Sequence, residues 1–217
     1  MRSIDEVLQA VREVKRQSGG RKFKQSIDLV INLQDVDVKK PENKIDDVVD
    51  LPNPPGKNAK VCVFASKGVA LQAKRANADL VLGKADIEKL AADKREAKKL
   101  AHKYHFFLAE GPIIPLVGKK LGFALGPRGK MPKPIPHGAS IEEEIERCKR
   151  SVRIRTRDQP VVQCKIGEED MPDKALAENV EAVLKKLGSR LERGMRNVRD
   201  VRLKTTMGKP IRVRITP

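Results

Sequence analysis

The chain has 217 residues, enough for one large domain or two small ones, and 46 Lys and Arg against 29 Asp and Glu give it a net charge of +17. So basic a chain favours a polyanionic partner, while an aromatic content of 3% with no Trp argues against a module that stacks single-stranded bases. No apolar run approaches the roughly 20 residues of a membrane span or forms a signal-peptide core, and three cysteines without a C-x-x-C argue against a disulfide framework or a structural zinc site, so a cytosolic protein is expected.

Ser3-Ile4-Asp5-Glu6 is a capping-box pattern, and Ile4, Val7, Leu8, Val11 and Val14 continue it at helical spacing until Gly19-Gly20. Lys22-Phe23-Lys24-Gln25-Ser26 then leads into the β-branched strand Ile27 to Leu33. A charged connection from Lys39 to Leu51, with a short strand at its end, runs into Pro52-Asn53-Pro54-Pro55-Gly56-Lys57-Asn58, the clearest linker in the chain.

After the linker, apolar strands alternate with helices. Strands are predicted at Val61 to Ala65, Leu80 to Leu82 and Phe106 to Leu108, with helices over Val69 to Asn77, Asp86 to Lys103 and Ile113 to Lys120. This rhythm predicts a parallel sheet covered by helices, a Rossmann-like α/β layout. Ser140 with Glu143 opens a further helix to about Ser151.

From Val152 the pattern reverts to strands, Val152 to Arg155 and Val161 to Ile166, the latter carrying Gln163 and Lys165. A helix follows from Pro172 to Gly188. The last seventeen residues predict a hairpin. Val201, Leu203 and Thr205 alternate with Arg202 and Lys204, and Ile211, Val213 and Ile215 with Arg212 and Arg214, around a Thr206-Met207-Gly208-Lys209-Pro210 turn. Gly208 suits a positive φ or a close backbone approach. The hairpin reads either as an edge with a solvated charged face or as a grip for a sugar-phosphate backbone.

Neither terminal portion has enough partners to fold alone, so the two ends are expected to form one α+β domain, residues 1–55 with 152–217. Residues 56–151 would be an inserted three-layer α/β domain on a hinge.

A nucleotide- or phosphate-binding α/β enzyme is the rival reading. A P-loop fails at Gly129-Lys130, where Met131 follows and Ala124 stands in the first glycine's place, and no G-x-G-x-x-G follows a strand. No nucleophile, base and acid set has a recognisable context, so neither an enzyme nor a cofactor is expected. His102 and His105 suit a helix C-terminus better than a metal.

Two other basic stretches remain open. Gly126-Pro127-Arg128-Gly129-Lys130-Met131, with Lys133, is either a basic helix connection or a secondary RNA contact. Phe23 is either a core anchor or a surface for a ribose or base, with Lys22 and Ser26 holding phosphates.

Lys22-Phe23 with Ser26, Leu125-Gly126-Pro127-Arg128-Gly129-Lys130-Met131-Pro132 and Thr205-Thr206-Met207-Gly208 together resemble the L-one family of large-subunit ribosomal proteins, on its archaeal branch. The resemblance covers nearly the whole chain. It implies a discontinuous RNA-binding domain with an inserted domain, located in the cytoplasm on the lateral stalk of the ribosome. It also implies three partners: large-subunit ribosomal RNA, exit-site tRNA whose release the stalk assists, and the protein's own mRNA, whose translation it represses. Outside the ribosome a monomer is expected. Phe23, Thr206, Met207 and Gly208 would grip the RNA, with Lys22, Lys24, Ser26, Gln163, Lys165, Lys204 and Thr205 around them.

Overall fold

The computed structural model describes residues 2–19, 21–38, 40, 43–56, 59–136 and 140–213. In chain order the elements are α1 (Arg2–Arg16), β1 (Ser26–Leu33), β2 (Asp46–Asp50), β3 (Val61–Phe64), α2 (Lys67–Arg75) and β4 (Leu80–Leu82). Then come α3 (Lys84–Ala92), α4 (Lys94–Lys103), β5 (Phe106–Ala109), α5 (Ile114–Leu125), β6 (Lys133–Pro134) and α6 (Ile141–Arg150). The last are β7 (Ser151–Arg155), β8 (Val161–Glu168), α7 (Asp173–Gly188), β9 (Val198–Thr205) and β10 (Ile211–Val213). Gly20, Lys39, Lys57, Asn58, Arg214, Ile215 and the Ser3 side chain, all parts of the predicted elements or connections, lie outside the described residues.

The chain divides into two compact units, Met1–Lys57 with Arg150–Pro217, and Asn58–Lys149. In the first, an antiparallel sheet has the order β10-β9-β1-β8, which puts β1 between the C-terminal hairpin and β8. Ile27, Leu29, Ile31 and Leu33 alternate into the core, where Val7, Val11 and Val14 of α1 and Val180, Val183 and Leu187 of α7 meet them. This leaves Ser26, Asp28, Val30 and Asn32 on the opposite, partly exposed face. β2 and β7 form a separate antiparallel pair, Val48 opposite Arg153.

The second unit holds a parallel sheet of order β4-β3-β5-β6. All four residues of β3 are buried because helices cover both faces. Cys62 and Phe64 pack with Ile87, Ala97 and Leu121 of α3, α4 and α5, whereas Val61 and Val63 pack with Ala73 of α2 and Ile145 of α6.

Three expectations change. The helix predicted over Asp86 to Lys103 is two helices, because Asp93 is extended and its carboxylate accepts from the Arg95 and Glu96 amides, capping α4. The helix ending at Lys120 runs on to Leu125, since Leu121, Ala124 and Leu125 continue its buried stripe. The Pro-rich run is fastened rather than free: Asn53 N donates to Asn179 Oδ1 at 3.0 Å, Asn179 Nδ2 donates back to Asn53 O at 2.9 Å, and Pro55 is buried.

Candidate nucleic-acid interface

The end of β1 and the turn after β9 are joined by reciprocal bonds. Ser26 N donates to Thr206 Oγ1 and Thr206 N to Ser26 O, each at 3.0 Å. Beneath them lies Gln25, fully buried, which ties three segments together. Its Oε1 accepts from Met207 N at 3.1 Å, its Nε2 donates to Ser18 O at 2.8 Å, and its backbone exchanges bonds with Glu169. The two flanking apolar side chains stay in solvent, Phe23 at 49% and Met207 at 60% exposure. Phe23 is therefore a surface side chain and not a core anchor. A fixed backbone carrying two exposed apolar groups suits contact with riboses or bases better than it suits folding.

Thr205 departs from its expected place. It belongs to the inward set of β9 and is 1% exposed, so its hydroxyl cannot reach an RNA. Its Oγ1 lies 2.2 Å from where a Cβ on Gly208 would sit. The glycine is needed there because the turn folds over the Thr205 side chain, not because of a positive φ. A side chain at 208 thus strikes the fold as well as the surface, and of the two expected reasons for Gly208 the positive φ does not apply.

Register sets the charges on the exposed sheet face. Lys204 and Lys165 stand opposite Asp28 on its two neighbours, and Arg202 and Gln163 stand opposite Val30. Burial raises the Asp28 carboxyl above its ordinary range, against the pull of both lysines. Lys24 pairs with Asp170 at 2.5 Å and Lys165 with Glu168 at 2.9 Å, while Lys22 is exposed. The sequence reading missed Gln25 and the Glu168-Glu169-Asp170 run. An acid-rich run beside an expected anion site was a readable signal; a buried glutamine among surface cations left none.

The Gly126 to Lys133 stretch belongs to the second unit. Arg128 Nη1 donates to Lys98 O at 2.9 Å, and Lys130 Nζ donates to Ala101 O at 2.9 Å and Tyr104 O at 2.7 Å. Lys130 thus closes the carbonyl end of α4 and Arg128 bonds a carbonyl one turn earlier, and both side chains keep their charge and stay partly exposed. Gly129 takes φ +62°, and Lys133 pairs with Leu108 at the sheet edge. Gly126, Pro127, Met131 and Lys133 remain exposed.

At the carboxyl ends of β3 and β5, where α/β sheets take ligands, Ser66 N and Oγ both donate to Glu110 Oε2, at 2.9 and 2.6 Å. A phosphate placed there would meet that carboxylate. His105 Nδ1 accepts the Lys60 amide, and among the described residues three or more His, Cys, Asp or Glu nowhere gather as a metal site. Burial pushes the Cys164 thiol up to about 12, and that of Cys62 higher, so both are inert. Among the described residues, no helix is long and apolar enough to cross a membrane.

Fold and site define a mixed α/β protein whose distinctive surface is a narrow turn fastened to a central strand and ringed by paired charges. Residues 12–209 match the model of the ribosomal protein L1p/L10e family. The large ribosomal subunit protein uL1 of Methanothermobacter thermautotrophicus is 47% identical over 208 residues, 96% of this chain and 98% of its own. That of Thermofilum pendens is 50% identical over 194 residues, 89% and 85%, and that of Methanoculleus marisnigri 43% identical over 207 residues, 95% and 97%. The chain belongs to the ribosomal protein L1p/L10e family. It is accordingly a structural, non-enzymatic protein of the cytoplasmic ribosome.

Proposed function

We propose that this protein is a constituent of the large ribosomal subunit that binds a folded segment of large-subunit ribosomal RNA at the lateral stalk. Phe23, Thr206, Met207 and Gly208 form the contact surface, and Lys22, Lys24, Ser26, Gln163, Lys165 and Lys204 surround it. The exposure of Phe23 and Met207 on segments locked together through Gln25 carries this reading, because so rigid an apolar pair in water has no folding role. The two compact units act as a discontinuous RNA-binding domain and an inserted domain. The inserted one offers Gly126, Pro127, Arg128, Gly129, Lys130, Met131 and Lys133 as a secondary contact. In this reading the stalk assists tRNA release from the exit site, and the same surface represses translation by binding the protein's own mRNA at a similar fold. The free protein is a monomer.

Phe23→Ala and Met207→Ala test the surface. Each is expected to lower affinity for large-subunit ribosomal RNA by about 1 to 3 kcal/mol, as for other base-contacting side chains, measured by filter binding. Their melting temperatures should match the parent's, since both side chains are in solvent. Normal binding by both variants would remove the surface from consideration.

A further inference from the structure

The strongest charges beside the proposed RNA surface are negative as well as positive. Glu168 ends β8, where it stands opposite Ser26, and Glu169 and Asp170 follow it directly. Two of the three carboxylates hold cations assigned to the RNA: Glu168 pairs with Lys165 and Asp170 with Lys24. The Glu168 position is built. Gly56, at φ +90°, leaves the space in which the Glu168 side chain lies, and a Cβ there would come within 2.3 Å of its Cδ. A carboxylate that ends a strand, packs over Gly56 and is held by Lys165 with only 18% of its side chain exposed is not a floating surface acid.

We infer that Glu168 and Asp170 are specificity-determining residues that discriminate against RNA offering only phosphates; the inference rests on the RNA-binding reading above. Non-specific RNA binding comes almost wholly from cations on phosphates. A random strand approaching Lys24 and Lys165 must displace two carboxylates and then lie against them, like charge on like charge. A folded RNA is different. It can present 2′-hydroxyl and base amino donors to those carboxylates, which accept hydrogen bonds, while its apolar faces meet Phe23 and Met207. The same acids therefore repel the wrong ligand and bind the right one.

The test compares the full-length parent with Glu168→Gln/Asp170→Asn and with a charge-matched control, Asp158→Asn/Glu192→Gln, which removes two exposed acids of the same unit. Each is titrated with large-subunit ribosomal RNA and with random-sequence RNA of equal length at one salt concentration, and folding is checked by circular dichroism. For Glu168→Gln/Asp170→Asn, affinity for random RNA should rise roughly fivefold or more, with affinity for ribosomal RNA unchanged or lower, so the preference falls. The control should keep the parental preference. An unchanged preference in Glu168→Gln/Asp170→Asn, or an equal fall in the control, overturns the inference. A parent with no preference for ribosomal over random RNA overturns the RNA reading itself, which separates the two failures.

Discussion

Asp28 shows how a single residue on the sheet face is held against its own tendency. It is half-buried at the middle of β1, and burial raises its pKa more than Lys204 and Lys165 lower it. The folded state thus binds this proton more tightly than the unfolded chain does. Its favourable contribution is complete below the unfolded pKa and is lost as pH rises through the folded one. Asp28→Asn copies the protonated shape, so the variant should be more stable than the parent near about pH 7, with the difference gone near about pH 3. Denaturant midpoints at both values check this, and a variant less stable at neutral pH would mean that the two lysines outweigh the burial. Gly208 makes the same point in another way: its neighbour Thr205, buried beneath the turn, decides what residue 208 can be.

At the scale of elements, the Pro-rich run and α7 are joined by one side chain. Asn179 is fully buried, accepts from Asn53 N, and donates to Asn53 O and Ile166 O, so it ties the run to both α7 and β8. Asn179→Ala leaves those backbone groups short of partners in the interior, at about 1 to 3 kcal/mol for each that water cannot reach. We expect a loss on the order of 3 kcal/mol in chemical denaturation. A loss below about 0.5 kcal/mol, the ordinary surface range, would mean that the run is only loosely attached. This tie also marks where the sequence stopped being legible. Strand alternation at Ile27 to Leu33 and the helical repeat from Leu176 to Leu187 are local patterns, and the elements lie where those patterns put them. Prolines and glycine in seven residues look like a tether, however, because their partner Asn179 is 126 residues away. Asp93 resembles any acid on a helix until its carboxylate is seen on two amides. The bonds of Arg128 and Lys130 were not legible, because nothing in their neighbourhood announces the α4 carbonyls some thirty residues upstream. In the candidate site, the turn carrying Met207 was legible from its residues, whereas Phe23 read as well as a core anchor, and its exposure decides between the two. Gln25 was not, since its role exists only once Ser18, Glu169 and Met207 converge.

For the whole molecule, a net charge of +17 invites the view that RNA binding is diffuse attraction over the entire surface. The local arrangement argues otherwise. Arg21, Lys22, Lys24, Lys165, Lys204 and Lys209 lie on or next to the contact segments, but Lys24 and Lys165 already have carboxylate partners. When such a cation moves to a phosphate, the freed carboxylate takes up a counterion, and the net release is smaller. With about four cations counting in full, log K for ribosomal RNA should fall against log salt with a slope of about −3 to −4, using the single- and double-stranded coefficients as bounds. Charges farther than a Debye length, about 8 Å at physiological salt, add little to that slope. Affinity extrapolated to molar salt should remain measurable, because Phe23, Met207 and the hydroxyls contribute without ions. Titrations across several salt concentrations decide the matter. A slope of about −8 or steeper, with affinity vanishing at molar salt, would assign binding to the distributed charge of the chain and leave the turn beside β1 without a role in recognition.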